Sequence, residues 1–270
     1  MRSSSNPAFR NLPSGGYGGY AGFNAPQGQP QAMMPGYGGH QAPPTASERP
    51  MTVDDVVVKT AMTLGLAFLT GIITAALVLG GTVNPFPPMI IGLLVGLVTS
   101  LIVIFKQTPN PALILTYSAA EGVFLGAITG VLESITDGIA LQAILGTALV
   151  FVVMLVVYRT GAVKVTPRLT KWVIGALGGA VLLMIANLVL GLFGVNMGLR
   201  DGGTLAIIFS LVVIGIGAFM LLLDFDMADN MIRSGMPSKW AWYAAFGLMT
   251  TLVWLYLEIL RLLTYLTSSD

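Results

Sequence analysis

The chain has 270 residues and a formal net charge of +1, and 55% of its residues are hydrophobic while only 9% are charged. Soluble domains carry roughly 25% charged residues. This composition and a mean hydropathy of +0.82 therefore predict a helical protein that crosses a membrane several times. The near-zero net charge gives no indication of a nucleic-acid partner. The chain contains no cysteine, which excludes disulfides, thiol catalysis and cysteine-bound metals.

The single histidine, His40, lies near the N-terminus and outside the apolar segments. No histidine is therefore available inside a helical bundle. This excludes the Ser/His chemistry of intramembrane serine hydrolases and metal sites built from several histidines. We expect no enzyme activity and no cofactor.

Residues 1–50 differ in composition from the rest of the chain. They contain 9 glycines and 8 prolines, together with Tyr17, Tyr20 and Tyr37. Such a segment buries too little apolar area to offset the backbone entropy lost on folding. We expect a disordered tail at residues 1–50, followed by a membrane domain at residues 51–270, and no signal peptide. A docking role for this tail, through its Gly-Tyr repeats, stays open beside the simpler interpretation of an inert tail.

Seven apolar segments follow, each close to the ~20 residues that cross a bilayer. The predicted spans are Val56–Gly80, Met89–Phe105, Ala112–Leu132, Ile139–Tyr158, Trp172–Phe193, Thr204–Met227 and Trp240–Leu266. Basic residues are concentrated on one side of this arrangement, above all in the connector 159–171, and the opposite side keeps only Arg200 and, near the end of the last span, Arg261. By the positive-inside rule this side and the N-terminus are cytoplasmic, and the C-terminus is outside if the last segment crosses completely.

Glycines recur at a spacing of four in three of these spans. They are Gly92 and Gly96 in the second, Gly122, Gly126 and Gly130 in the third, and Gly175 and Gly179 in the fifth. Glycines four residues apart lie on one helix face and let two helix backbones approach closely. We expect these faces to pack against neighbouring helices, which predicts a compact bundle.

Two carboxylates lie inside the last two spans, Asp224 in LLLDFD and Glu258 in WLYLEIL. An ionised side chain in hydrocarbon costs several kcal/mol, so such a residue is expected to face the bundle interior and to have a function. Asp226 points ~200° away from Asp224 around the helix and is expected at a solvated helix end. Arg261 follows Glu258 at i+3, where the two side chains can pair.

A third acid, Glu121, lies midway along the third span, beside the glycines of that helix. Two interpretations are open for it. One is an inward carboxyl that bonds to a neighbouring helix, and the other is an auxiliary acid on a cation or proton route.

The segments LLLDFD and LYLEILRLL, joined by a short polar turn, closely resemble the end of the Bax inhibitor-1/YccA-like (transmembrane Bax-inhibitor-motif) family. The resemblance extends over roughly residues 55–266 and includes the number of spans and the Glu-Gly pair of the third span. It implies an all-α polytopic membrane protein in which the C-terminal helix is central and is surrounded by six others.

The resemblance also implies a pH-sensitive calcium leak controlled by an acid pair on helices six and seven. Carried over, the pair is Asp224 and Glu258, with Glu258 standing where the family has aspartate. Two buried carboxylates a few Å apart share a proton, and the deprotonated pair offers the oxygen ligands that calcium prefers. Lys106 lies near the position of a basic residue that the family links to the closed state.

The leading hypothesis is therefore a pH-sensitive cation leak in the plasma membrane of a bacterium, with the lipid bilayer as its surroundings. A second hypothesis is a non-conducting scaffold that regulates a membrane protease or stress-response proteins through its helices or its tail. A third is an intramembrane aspartyl protease, but LLLDFD and GIGAF match the motifs of that class only in part.

The charge asymmetry generates a topological prediction. Reporter domains fused at the N-terminus and within the connector 159–171 are expected to be active only in the cytoplasm, and a C-terminal fusion only on the other side. A connector reporter that is active outside would overturn this orientation.

Overall fold

The computed structural model describes residues 49–195 and 197–267, so the predicted disorder of the tail falls outside it except at residues 49 and 50. This part of the chain forms seven α-helices, each long and apolar enough to cross a membrane. They are α1 (Val53–Leu79), α2 (Phe86–Lys106), α3 (Pro111–Glu133), α4 (Ile139–Thr160), α5 (Pro167–Leu192), α6 (Thr204–Arg233) and α7 (Ala241–Thr267). The predicted seven-helix membrane protein is confirmed.

Several helices begin ahead of their predicted spans because capping residues define their first turns. At the start of α1, the Thr52 side chain accepts a hydrogen bond from the Asp55 backbone N–H, and the Asp55 carboxylate accepts one from the Thr52 backbone N–H. This reciprocal capping box satisfies N–H groups that lack a partner within the helix. Thr166 caps α5 in the same position, and Pro167 follows it at the first helical residue, where proline is well tolerated.

The glycines of α3 bring its backbone against α1. Gly122 packs on Ala67 and Thr70, and Gly126 packs on Gly71, with backbone atoms of α1 in the space that a side chain would occupy. These contacts make α1 and α3 the most extensively packed pair of helices in the described bundle. The packing predicted for the third span is confirmed.

The glycines of α2 and α5 differ in their surroundings. A Cβ atom at Gly92 would lie 2.7 Å from the Ala120 carbonyl oxygen of α3, which confirms close packing for α2. At Gly175 and Gly179 of α5, no described atom outside the local helix backbone lies within 4 Å of such a Cβ. The prediction that the α5 glycines pack against another helix is therefore wrong, because the packing partner of α5 is α6 and lies on a different face.

The C-terminal helix α7 is the centre of the bundle. It packs against α1, α3, α4 and α6, while α2 packs on α3 and α5 packs on α6. In the most apolar stretch of α7, half of the residues are buried, compared with 11% in the corresponding stretches of α4 and α5. The predicted central position of α7 is confirmed, with four helices in direct contact and two in an outer position. α7 is also a continuous helix of 27 residues, long enough to cross the membrane completely.

The chain just before α1 pairs with the connector between α6 and α7. The Met51 backbone N–H donates to the Met236 carbonyl at 2.8 Å, and the Ser238 N–H donates to the Arg49 carbonyl at 2.8 Å. Lys59 of α1 donates to the Ser238 carbonyl at 2.6 Å. The folded domain therefore includes residues 49 and 50, which the sequence prediction assigned to the tail.

The two kinds of glycine predict opposite effects of a single methyl group. Gly126→Ala places a Cβ on the backbone of α1 and is expected to cost about 1–3 kcal/mol of unfolding free energy, as overpacking does. Gly179→Ala meets open space and is expected to be neutral or slightly stabilising, since alanine is the better helix former. Equal losses of thermal stability in detergent for the two variants would contradict this packing.

Candidate functional site

The acids predicted in the sixth and seventh spans lie along the contact between α6 and α7. These helices run antiparallel, since Gly217 faces Leu255 while Asp224, further along α6, reaches Thr251, which comes earlier in α7. The Thr251 hydroxyl donates to the Asp224 carboxylate at 2.6 Å. Asp224 is half-buried, and the described partner of its charge is a neutral hydroxyl.

Glu258 of α7 is more deeply buried, at 3% exposure. Its Oε1 accepts from Arg261 Nη1 at 2.7 Å and from Arg200 Nη2 at 3.1 Å. Its Oε2 is buried and has no hydrogen-bond partner within the part of the chain that the structure describes. One carboxylate oxygen of Glu258 thus carries two guanidinium groups and the other carries none.

Arg200 belongs to the connector between α5 and α6, and its side chain crosses to α7. Besides Glu258 it contacts the Met184 sulfur of α5 at 2.9 Å. Burial lowers the pKa of Arg200, and the neighbouring Arg261 lowers it further, while Glu258 raises it. Arginine ordinarily titrates so far above neutrality that the group keeps its positive charge.

The structure does not bring Asp224 and Glu258 together as a pair. Thr251, the partner of Asp224, precedes Glu258 by seven residues, which is ~10 Å along the helix axis and only ~20° around it. The two acids therefore lie one above the other on the same line of the α6–α7 contact. The predicted proton-sharing pair is not formed in this structure.

A single calcium ion bound by both acids is not supported either. Calcium is held by oxygen atoms at about 2.3–2.6 Å, and two carboxylates separated by two helical turns, each with its own partners, cannot both reach one ion. Within the residues that the structure describes, no group of three or more Asp, Glu, His or Cys side chains is placed to hold a metal.

The other acid of the LLLDFD segment faces away from α7. Asp226 accepts a hydrogen bond from Asn230 on its own helix at 2.9 Å, whereas Asp224 contacts α7. This agrees with the helical angle between the two residues. Lys106 is the exposed last residue of α2, and the packing partner of α2 is α3. The structure thus gives no support for Lys106 as a partner of the acids.

Glu121 lies between α2 and α3, where its Oε1 would be 3.0 Å from a Cβ at Gly96. It interacts with the Tyr117 hydroxyl of the same helix, and that hydroxyl accepts from Thr250 of α7 at 3.3 Å. Glu121 is therefore connected to the central helix through Tyr117. Its described contacts are with α2 and with Tyr117 of its own helix, and they include neither Asp224 nor Glu258.

Two important residues were missed by the sequence analysis. Thr251 is an unremarkable threonine in an apolar helix, and only the packing of α6 reveals it as the partner of Asp224. Arg200 was counted as an outside basic residue, although a lone arginine beside spans that contain carboxylates is itself a signal of an ion pair.

The chain matches the model of one known protein family. A family model described as Bax inhibitor 1 like matches residues 6–268. Among curated proteins, no sequence matches the chain. The match covers all seven helices as well as both acids of the α6–α7 contact.

The bond between Thr251 and Asp224 predicts a specific pattern of stabilities. Thr251→Val removes the hydroxyl and is expected to cost about 1–3 kcal/mol, because a half-buried carboxylate loses its donor. Asp224→Leu combined with Thr251→Val is expected to cost less than the two single changes added together. Unfolding in detergent measures the stability of the two single variants and of the double variant.

A suitable control is Thr267→Val, since Thr267 is exposed and its hydroxyl donates to the Leu263 carbonyl of its own helix. This change is expected to leave stability within about 0.5 kcal/mol of the wild type, as surface substitutions do. Additive losses for Thr251 and Asp224 would show that their bond contributes nothing.

Proposed function

Since the chain belongs to the Bax inhibitor 1-like family, we propose that it is a pH-sensitive cation leak channel that prefers calcium. The observation that supports this proposal is the line of two acids on the α6–α7 contact, each inside a membrane-spanning helix. A carboxylate in hydrocarbon is costly, so two of them on one helix–helix contact suit a cation route better than a purely structural role.

The spacing of the acids suits stepwise passage of an ion. Thr251, which marks the level of Asp224, lies ten residues or ~15 Å from the start of α7, and Glu258 lies nine residues or ~14 Å from its end. The step between the two levels is ~10 Å. The acids thus divide the crossing into three similar steps, and each offers the oxygen ligands that suit calcium.

We assign the pH response mainly to Asp224. Its described partner is the neutral Thr251 hydroxyl, so protonation of Asp224 breaks no ion pair. Glu258 faces Arg200 and Arg261, and its protonation would leave two guanidinium groups without their counter-charge. Because a protonated carboxyl no longer attracts a cation, the leak is expected to fall as the pH falls.

Gating by a shared proton, as the family resemblance implies, would require Asp224 to move ~10 Å along α7. We therefore propose that the two carboxyls act in series and contribute independently. The ion is the only ligand in this proposal, which involves no cofactor and no catalysis. We place the protein in the plasma membrane of a bacterium, with the N-terminus in the cytoplasm and other membrane proteins as partners.

Calcium flux into liposomes, measured with an enclosed dye between about pH 6 and 8, tests the role of Asp224. Asp224→Asn removes the titrating group, so flux is expected to lose most of its pH dependence in this range. Asp226→Asn is the matched control, because it lies in the same segment and bonds to its own helix. Its pH profile is expected to match the wild type. The reverse outcome would show that Asp226 is the sensor.

Combining Asp224→Asn with Glu258→Gln distinguishes independent acids from a pair. Sites that do not touch are expected to change the logarithm of the flux additively, whereas a proton-sharing pair would give a double variant that resembles either single one. If neither acid affects flux, or if the wild type conducts no calcium, the leak proposal fails and the non-conducting scaffold becomes the better account.

A further inference from the structure

Arg200 holds Glu258 from outside the helix that carries it. Arg261 lies on α7 at i+3 from Glu258 and moves together with it. Arg200 lies on the α5–α6 connector and is the residue through which the described contacts join this carboxylate to another element. A substitution at Arg200 therefore removes the ion pair between Glu258 and the connector but leaves the residues of α7 unchanged.

The Arg200 side chain reaches the buried carboxylate from a partly exposed position. Its side chain is 27% exposed, whereas that of Glu258 is 4% exposed. Gly198 and Gly202 bracket Arg200, and both have positive φ angles, 73° and 86°, which glycine adopts readily. The connector thus bends sharply on either side of Arg200, whose guanidinium reaches Glu258 nine residues before the end of α7.

The charges at this site oppose a cation as long as Arg200 is present. Two guanidinium groups share Oε1 of Glu258, so the group of three carries one excess positive charge. Without Arg200, Glu258 and Arg261 form a neutral pair, so no excess positive charge opposes a cation or water at the buried Oε2, which has no hydrogen-bond partner among the described residues. Arginine side chains serve elsewhere as electrostatic barriers to cations in pores.

We infer that Arg200 is a displaceable plug, whose guanidinium a divalent cation must displace to reach Glu258 from the connector side. This inference rests on the proposed leak function and deepens it by naming the residue that closes one end. Arg200 closes the pathway by occupying the carboxylate, and Arg261 holds Glu258 in place when Arg200 leaves.

A thiol-accessibility experiment on the full-length protein tests this plug without measuring calcium. The chain has no cysteine, so Ser210→Cys introduces the only thiol. Ser210 is 1% exposed and lies on α6. Since Gly217 faces Leu255 and the helices are antiparallel, Ser210 lies about one turn closer to the connector than Glu258 does.

Arg200→Gln in the Ser210→Cys background is expected to increase labelling of the introduced thiol by a water-soluble maleimide about tenfold or more, because loss of the bridge to Glu258 lets the connector open and every loss of about 1.4 kcal/mol makes such opening tenfold more frequent. Arg261→Gln is the matched control, because it removes the same charge from the same oxygen but leaves the bridge from the connector intact. Labelling there is expected to stay near the rate of the Ser210→Cys protein. Arg200→Lys, which keeps a positive charge, is expected to restore most of the protection.

Unchanged labelling in Arg200→Gln, or equal labelling in Arg261→Gln, would overturn the plug. Thermal unfolding of each variant verifies the fold, which is expected to survive because Glu258 keeps one arginine in either case. Calcium flux through the same proteins separates this inference from the proposed function. Increased labelling together with increased flux supports both, whereas increased labelling with no flux in any variant supports the plug and contradicts the leak.

Discussion

A charged side chain inside a membrane must find its partners within the protein, and this constraint organises the contact between α6 and α7. Glu258 meets it with two arginines, one from its own helix and one from the α5–α6 connector. Breaking a buried ion pair by removing one partner costs several kcal/mol. The connector is therefore tied to the central helix at this point by a residue that lies far from Glu258 in sequence.

The two acids of the contact differ in the kind of partner they have, and the different roles that we propose for them rest on this difference. Asp224 accepts a hydrogen bond from the Thr251 hydroxyl. If the carboxyl is protonated, the two groups can still form a hydrogen bond, because a hydroxyl can donate or accept. Glu258 compensates two positive charges, so its ionised form is part of the fold. One acid is thus suited to respond to pH and the other to hold a displaceable counter-ion.

Sequence patterns predicted the features that depend on a single helix. Segment lengths predicted all seven spans, and the 100° helical step separated the direction of Asp224 from that of Asp226. The relative positions of two helices were beyond this reasoning. Nothing in the sequence around Glu258 shows that Asp224 reaches α7 two turns earlier, at Thr251, and this offset is the reason that the expected acid pair is absent.

The glycines illustrate the same limit. A spacing of four identifies a smooth helix face but not what covers it. The face of α3 is covered by α1 because α3 lies between α1 and α2, whereas no other described helix covers the face of α5 at Gly175 and Gly179. The sequence analysis used Arg200 only to orient the chain in the membrane, because the sequence does not show which helix the side chain of a connector residue contacts.

The central claim is that cations pass along the contact between α6 and α7, and a reversible cross-link tests it most directly. Gly217→Cys and Leu255→Cys place two thiols on facing positions, since a Cβ at Gly217 would lie 3.0 Å from Leu255 Cγ, in a chain that has no other cysteine. Oxidation of this pair is expected to abolish calcium flux in liposomes, and a reductant is expected to restore it. Flux that continues unchanged through the fully cross-linked protein would contradict the account.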